Sequence, residues 1–233
     1  MLTYLETSEW EIGIDEVGRG CLLGPVVACA LVLPEPTMIQ KHIDMWSQVK
    51  DSKKLSERKR KELYEFIIQH VPSYGIGMVF EKDIDSLNIL RATMKAMHFA
   101  LDNAIRPLSD KKHLKSPILH LMVDGPHFKP YIPPGEEEEW TVKKECIVDG
   151  DATYLSIAGA SIVAKYTRDM YMQQLVKEHP MLEIYGISKN KGYGTQQHMT
   201  ALKEQGRTQF HRVSFRPVKE APIHPSLQNV LSS

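Results

Sequence analysis

A continuous apolar segment close to the start of the chain restricts its possible folds. Residues 26–33 read VVACALVL and follow a turn-forming stretch that contains Gly24 and Pro25. A strand that is apolar on both faces lies inside a sheet that helices cover on both sides. A membrane-spanning helix needs about 20 apolar residues, and the longest apolar stretch covers only residues 21–33. The segment therefore predicts an α/β protein that does not enter a membrane.

Hydrophobic periodicity predicts a mixed five-stranded sheet flanked by helices. Strands are predicted at residues 10–15, 26–33, 74–81, 118–123 and 141–148, and helices at residues 57–69, 86–105, 153–178 and 195–205. Three early strands with short connections, followed by alternating strands and helices, are typical of such a sheet. No segment has the composition of a linker. We therefore expect one catalytic domain over residues 1–217, with a helical C-terminal part from about residue 153, and a mobile tail at residues 218–233.

The composition is that of a globular protein, with 42% hydrophobic and 25% charged residues. The first eleven residues contain three glutamates and no lysine or arginine, a pattern that excludes a secretory signal peptide. Three cysteines, an odd number in a chain of 233 residues, indicate reduced thiols. We expect a cytoplasmic protein that acts as a monomer.

The net charge is zero, but the charges are separated along the chain. Residues 1–16 contain five acids and no base, and residues 135–151 contain seven acids and two bases. Residues 48–62 contain seven bases and three acids, and residues 186–219 contain seven bases and one acid. In most proteins such blocks are solvated faces. Here the acidic blocks lie beside predicted strands, a combination that suits a metal site flanked by surfaces for a polyanion.

Acidic residues follow three of the predicted strands. Asp15 and Glu16 close the first strand, Asp124 closes the fourth, and Asp149 or Asp151 follows the fifth. A single aspartate at such a place more often caps a turn. Four carboxylates brought together would repel one another, and two divalent cations would remove that repulsion. Oxygen ligands favour Mg²⁺ or Mn²⁺, and two such ions are the usual means of phosphodiester cleavage.

A short glycine-rich stretch, Gly18-Arg19-Gly20, directly follows the first acidic pair. It lacks the full pattern of a phosphate-binding loop, so a plain turn explains it equally well. Glycine also allows a backbone to approach a sugar closely, as recognition of a ribose 2′-hydroxyl requires.

Five short motifs follow one another along the chain. They read Asp15-Glu16-Val17-Gly18-Arg19-Gly20, Asp51-Ser52-Lys53-Lys54-Leu55-Ser56, Val123-Asp124-Gly125, Ala160-Ser161-Ile162-Val163-Ala164-Lys165-Tyr166-Thr167-Arg168-Asp169 and Lys191-Gly192-Tyr193-Gly194-Thr195. In order and spacing they resemble the successive motifs of the bacterial ribonuclease HII family, over about residues 10–218.

The resemblance implies a ribonuclease H-like fold and a divalent-metal-dependent endonuclease. The expected substrates are RNA–DNA hybrids and DNA duplexes that contain single ribonucleotides. Cleavage 5′ to the ribonucleotide would leave 3′-hydroxyl and 5′-phosphate ends, during DNA replication and repair. The expected cofactors are two Mg²⁺ or Mn²⁺ ions.

The resemblance also implies a role for individual residues. The catalytic metal ligands would be Asp15, Glu16, Asp124 and Asp151, with Asp15 bridging both ions, Glu16 and Asp124 on one ion, and Asp151 on the other. The ribose 2′-hydroxyl would be recognised by Gly18, Arg19 and Gly20, and Tyr193 would stack on the sugar and test the junction with DNA. Phosphate contacts would come from Ser52, Lys53, Ser161 and Lys165. Lys165 and Arg168 could equally form the solvated edge of the long helix.

Three positions depart from the family pattern. Asp149 stands where the family usually has a lysine, so it adds charge or competes as a ligand; the spacing to Ala160 favours Asp151. Gly194 replaces the usual proline after Tyr193, and loss of a proline loosens a loop. Asn190 stands where a histidine is common.

Two other functions compete with this interpretation. Ribonuclease HIII shares the fold but carries an extra N-terminal domain, whereas only nine residues precede the first predicted strand here. A catalytically silent duplex-binding module would be expected to lose some of the four carboxylates, and all four are present. A sliding clamp is a possible partner of such enzymes, but the tail contains no clear motif for one.

Overall fold

The computed structural model describes residues 2–4, 10–50, 52–109, 118–133 and 141–225. Asp51, the glutamate run at residues 136–139 and the last eight residues of the predicted tail lie outside this part of the chain. The chain divides into two compact units. The first, here called the sheet unit, comprises Met1–Val17, Val27–Met78 and Met94–Tyr166, and the second, the helical unit, comprises Gly18–Val26, Val79–Thr93 and Thr167–Ser233. A single catalytic domain over residues 1–217 stays a prediction.

One mixed sheet forms the framework of the sheet unit. Its strands are β1 (Trp10–Val17), β2 (Val26–Val32), β3 (Ser73–Val79), β4 (Ile118–Asp124) and β5 (Thr141–Ile147). The strand order is β3-β2-β1-β4-β5. β1 pairs antiparallel with β2 and parallel with β4, and β4 pairs parallel with β5. The predicted mixed five-stranded sheet is confirmed.

Helices make up most of the remaining regular structure. In the described residues they are α1 (Pro36–Lys41), α2 (Ile43–Trp46), α3 (Glu57–His70), α4 (Glu81–Leu87), α5 (Ile89–Ser109), α6 (Leu155–Glu178), α7 (Ile187–Asn190), α8 (Gln196–Gln205) and α9 (Arg216–Lys219). Short 3₁₀ turns span Ser52–Lys54, Gly150–Ala152 and Pro180–Tyr185. Within this part of the chain, no helix combines the length and apolar character required to cross a bilayer.

The apolar strand β2 lies inside the sheet, as its sequence predicts. All seven of its residues are buried, and it has hydrogen-bonded neighbours on both sides. Helices cover both faces of the adjoining strand β3. A Cβ on Gly77 would lie 1.9 Å from the carbonyl oxygen of Ala96 in α5, whereas Tyr74 and Ile76 pack against the core cluster that α3 and α6 share. Alternate residues of a strand point to opposite faces, so the two helical layers lie on opposite sides of β3.

The first half of α6 lies directly on β1. A Cβ on Gly13 would come within 2.0 Å of the backbone carbonyl carbon of Ser156, a separation that only glycine permits. The Ser156 hydroxyl also donates a hydrogen bond to the buried carboxylate of Glu11. This close approach fixes the start of α6 against the strand that carries Asp15.

One helix differs from the sequence-based expectation. The helix predicted at residues 86–105 is divided into α4 and α5, because Asn88 adopts a left-handed backbone with φ 71°. The predicted boundary between the catalytic domain and the mobile tail, between residues 217 and 218, lies within α9, where Val218 is fully buried. The predicted caps are confirmed, since Ser56 and Thr195 each accept a hydrogen bond from the first turn of the following helix.

We predict that Gly13→Ala strongly destabilises the protein, by several kcal/mol, because the new methyl group would collide with backbone atoms that cannot move independently. The free energy of unfolding, from urea denaturation monitored by circular dichroism, measures the effect. Gly159→Ala in α6 is the matched control, because its methyl group would meet only the flexible end of Leu31 at 3.2 Å. Equal losses of stability in the two variants would contradict this account.

Candidate active site

Two of the predicted metal ligands occupy equivalent positions on neighbouring parallel strands. The register of β1 and β4 pairs Ile14 with Val123, so the next step along both strands aligns Asp15 with Asp124. Adjacent strands are about 4.8 Å apart. Glu16 follows Asp15 in the same strand. Hydrogen bonding of the backbone alone therefore places carboxylates side by side at the end of the sheet.

The fourth predicted ligand lies in the 3₁₀ turn after β5. Asp151 is buried there, with 8% of its surface exposed, whereas Asp149 is exposed and has a left-handed backbone with φ 54°. The backbone N–H of Gly150 donates a 2.8 Å hydrogen bond to Oδ1 of Asp124. This bond ties the turn that carries Asp151 to the end of β4, and the difference in burial favours Asp151 over Asp149.

Asp15 lies in an environment that opposes its ionisation. Only 6% of its surface is exposed. Burial raises the pKa of its carboxyl well above the usual range, and the negative charges of Glu16 and Asp124 raise that pKa further. A backbone N–H from Glu16, 2.7 Å from Oδ1, and the hydroxyl of Ser161 partly offset the effect.

Two of the predicted phosphate contacts are buried behind Asp15. Ser52 and Ser161 are 2% and 4% exposed, and their hydroxyl oxygens are 2.9 Å apart. Arg60 holds the turn that carries Ser52, because its guanidinium donates to the Ser52 carbonyl at 3.0 and 3.2 Å. In this structure the two serines form a hydrogen-bonded support for Asp15.

Arg60 is buried although it lies in the basic block at residues 48–62, and such blocks are solvated faces in most proteins. Its spacing did contain a signal. Arg60, Leu63 and Ile67 repeat at three- and four-residue intervals on the buried face of α3. The other two predicted phosphate contacts are more accessible, since Lys53 is exposed and Lys165 is half-buried.

In the helical unit, Arg168 holds together the loops that contain the predicted sugar-recognition residues. Its side chain is fully buried, which corrects the expectation of a solvated or phosphate-binding arginine. The guanidinium donates to the carbonyls of Leu23, Pro25 and Lys191 at 3.1, 2.9 and 2.7 Å. A Cβ on Gly18, whose φ is 89°, would lie 2.3 Å from Nε of Arg168.

A second buried arginine supports the same loop. Arg212 is fully buried and donates to the carbonyls of Gly24 and Arg19, each at 2.9 Å. Gly20 differs from Gly18, because its backbone φ is not in the left-handed region and nothing lies within 4 Å of the position of a Cβ. Packing therefore explains glycine at position 18 and leaves glycine at position 20 unexplained.

Tyr193 lies in a loop that pairs with the glycine-rich segment. A backbone bridge joins Cys21 to Tyr193, and the N–H of Leu22 donates to the carbonyl of Gly192 at 2.8 Å. The tyrosine side chain is 40% exposed. Partial burial, and then the neighbouring Cys21, raise the pKa of its phenol to about 12. The ring is thus a neutral, accessible aromatic surface on a loop with fixed backbone pairing.

The motif order and this geometry agree with a comparison against known families. The family model for Ribonuclease HII matches residues 12–218. The chain belongs to the ribonuclease HII family. A ribonuclease HII from Christiangramia forsetii is 41% identical over 93% of this chain and 95% of the relative. Membership makes the chain a ribonuclease, a nuclease of the hydrolase class.

Solved structures confirm the ribonuclease H-like fold. The ribonuclease H2 of Pyrococcus horikoshii OT3 superimposes with a TM-score of 0.66 at 24% identity, over 90% of this chain and 95% of the other. Bst-RNase HIII in complex with Mn²⁺ superimposes with a TM-score of 0.64 at 21% identity, over 92% of this chain and 69% of the other.

The donor chemistry of this site fits a hard divalent cation. In the part of the chain that the structure describes, no three acidic, histidine or cysteine side chains converge closely enough to hold a metal. The backbone nevertheless aligns oxygen donors. Burial, and then the charges of Glu16 and Asp124, raise the pKa of Asp15, and a bound cation offsets both effects. Mg²⁺ and Mn²⁺ prefer such all-oxygen ligand sets.

We predict that Asp15→Asn stabilises the metal-free protein at pH 7, because it removes a buried charge that its neighbours repel. The raised pKa of Asp15 means that folding opposes its ionisation, so the free energy of unfolding should be higher in the variant than in the wild type. Calorimetry in EDTA measures it, and added Mn²⁺ should raise the melting temperature of the wild type more than that of the variant. A less stable variant in EDTA would contradict the electrostatic account.

Proposed function

We propose that this ribonuclease HII cuts the RNA strand of RNA–DNA hybrids and cuts DNA duplexes 5′ to single ribonucleotides, leaving 3′-hydroxyl and 5′-phosphate ends. The observation that carries the proposal is the alignment of Asp15 with Asp124 on adjacent parallel strands. The turn that carries Asp151 is tied to the same position by the N–H of Gly150. Removal of ribonucleotides during DNA replication and repair is the corresponding cellular role.

The proposed metal ligands are Asp15, Glu16, Asp124 and Asp151, with two Mg²⁺ or Mn²⁺ ions as cofactors. The Mn²⁺ named for the Bst-RNase HIII structure supports this choice of metal. When bound, such ions supply charge neutralisation at the attacked phosphodiester and its leaving oxygen. No protein nucleophile is required.

The chain's own residues position those carboxylates before any metal binds. The Ser52 and Ser161 hydroxyls brace Asp15, and Arg60 fixes the turn that carries Ser52. The N–H of Gly150 fixes one oxygen of Asp124. A preorganised ligand set loses less conformational entropy when a cation or substrate binds.

Recognition of the sugar is assigned to the glycine-rich segment and to Tyr193. Gly20 is exposed and has open space where a Cβ would be, so close approach of a ribose explains a glycine that packing does not. The exposed part of the Tyr193 ring offers a stacking surface. Lys53 and Lys165 are assigned to phosphates, which position a duplex without reading its sequence.

We predict metal-dependent cleavage on the 5′ side of the ribonucleotide in an end-labelled DNA duplex that contains one ribonucleotide. Asp151→Asn should abolish cleavage, whereas Asp149→Asn, two residues away and exposed, should retain most of it. Product length on a denaturing gel, with Mg²⁺, with Mn²⁺ and with EDTA, measures both effects.

An all-DNA duplex and a long RNA–DNA hybrid serve as substrate controls. Duplex binding without cleavage in either metal would support the catalytically silent module instead. Cleavage of the long hybrid alone would retain the nuclease and reject recognition of the junction.

We predict that a change to alanine has different effects at two nearby glycine positions, on stability at one and on activity at the other. Gly18→Ala should lower the melting temperature, because its methyl group would clash with the buried guanidinium of Arg168. Gly20→Ala should leave the melting temperature unchanged and still reduce kcat/KM at a single ribonucleotide by about tenfold or more. Thermal unfolding and the cleavage assay separate the two effects, and full activity of Gly20→Ala would reject close approach of the sugar.

A further inference from the structure

Two histidines form a direct hydrogen-bonded pair in the interior of the helical unit. His198 in α8 is fully buried and His211 is 1% exposed. Their Nε2 atoms are 3.0 Å apart. Each ring also bonds to the backbone, His198 Nδ1 to the carbonyl of Tyr193 at 3.0 Å and His211 Nδ1 to the N–H of Thr208 at 3.0 Å.

The backbone groups at both ends determine where the protons of the pair lie. Nδ1 of His211 faces the N–H of Thr208 at 3.0 Å and its hydroxyl at 2.9 Å. The N–H can only donate, and the hydroxyl can donate as well, because its oxygen accepts from the N–H of Phe210. Nδ1 therefore accepts, and a neutral ring carries its proton on Nε2. That Nε2–H donates to His198, whose own proton is therefore on Nδ1. The carbonyl of Tyr193 can only accept, as this arrangement requires. The hydrogen-bond partners at the two ends of the histidine pair therefore require the same two tautomers.

The surroundings keep both rings neutral. Burial lowers the pKa of His198 below its ordinary value. Burial, and then the neighbouring His198, lower the pKa of His211 to about 3, and the guanidinium of Arg207 lowers it further. A proton added to either ring would turn two donors toward each other. The ring of Tyr185 packs edge-on against both imidazoles and shields them.

We infer that His211 and His198 form an imidazole relay that positions Tyr193, so that both histidines are specificity-determining positioning residues. This inference rests on the proposed function, because it concerns the tyrosine assigned to the sugar. The carbonyl of Tyr193 accepts a second hydrogen bond from the N–H of Thr195 at 2.8 Å. The relay therefore fixes the orientation of the peptide group that follows the tyrosine.

The local sequence explains why the loop needs such a support. Tyr193 is followed by Gly194 instead of a proline, and a glycine adds conformational freedom to a loop. The preceding residues Lys191 and Gly192 both adopt left-handed backbones, with φ 53° and 89°. Asn190 restrains the two sides of this position, because its side chain accepts from the N–H of Gly192 at 2.9 Å and donates to the hydroxyl of Thr195 at 3.1 Å. The buried donor from α8 adds a hydrogen bond at the carbonyl of Tyr193 itself, next to Gly194.

The chain offers a conservative variant and a matched control. In His198→Asn the side-chain amide can still donate to the carbonyl of Tyr193 but cannot reach His211, whereas in His198→Leu both bonds are lost. Tyr185→Phe removes a different buried hydrogen bond nearby, the 2.6 Å bond from its hydroxyl to the carbonyl of Gly206, and leaves the relay atoms intact. Tyr185→Phe therefore shows the effect of lost stability on cleavage when the two histidines are unchanged.

The test compares kcat/KM on a duplex with one ribonucleotide and on a long RNA–DNA hybrid. The ratio is kcat/KM on the single ribonucleotide divided by kcat/KM on the long hybrid. His198→Leu should lower this ratio by about tenfold or more, because a small displacement of a positioning group can reduce the rate by up to about 100-fold. His198→Asn should restore most of the ratio. Tyr185→Phe should leave the ratio unchanged despite a lower melting temperature.

A double-mutant cycle shows whether His198 acts through the tyrosine. In the background of Tyr193→Ala, His198→Leu should cause no further loss of the ratio, since residues that act through one another are non-additive. An unchanged ratio in His198→Leu alone, or fully additive effects in the cycle, would overturn the inference.

A second measurement is independent of cleavage. Nitrogen-15 NMR of labelled histidines should show Nδ1–H on His198, Nε2–H on His211 and a coupling across the bond between their Nε2 atoms. Amide exchange at Tyr193 and Thr195 should accelerate in His198→Leu and remain slow in Tyr185→Phe. If the wild type cut neither substrate, the proposed function would fail, and these spectra and exchange rates would still decide the relay; other tautomers or unchanged exchange would reject it.

Discussion

The parallel pairing of β1 with β4 is the constraint on which the acidic site depends. Their backbone register places Asp15 beside Asp124, and the hydrogen bonds of the sheet maintain that alignment against the repulsion between the carboxylates. Gly13 allows α6 to lie directly on β1, which brings the Ser161 hydroxyl to Asp15. The site thus holds mutually repelling carboxylates close together on a rigid backbone. A divalent cation bound there offsets that repulsion.

The loops of the helical unit depend on buried cations rather than on an apolar core alone. Arg168 and Arg212 donate to five carbonyl groups between them. Carbonyls in loops have no partner in a helix or strand, and a planar guanidinium with five N–H donors satisfies several of them at once. The Gly18 loop and the Tyr193 loop share this support, and the two buried histidines extend it to the carbonyl of Tyr193.

Much of the fold follows from local sequence patterns. The five strands, the caps at Ser56 and Thr195 and the long helix α6 were predicted because periodicity and capping act over a few residues. The break at Asn88 was missed, since the apolar spacing continues through it. The short helices α1, α2, α7 and α9 were missed as well, because one or two turns contain too few residues for a periodic signal.

The acidic residues at the predicted strand ends and the resemblance to a family follow from the sequence alone, because both depend on contiguous residues. The tertiary fold, and no local pattern, buries Asp151 and exposes Asp149, and it directs Arg168 to loop carbonyls instead of solvent. Arg168 and Leu23, whose carbonyl it binds, are 145 positions apart in the chain. Such contacts depend on the packing of distant segments, which composition, charge and periodicity do not encode.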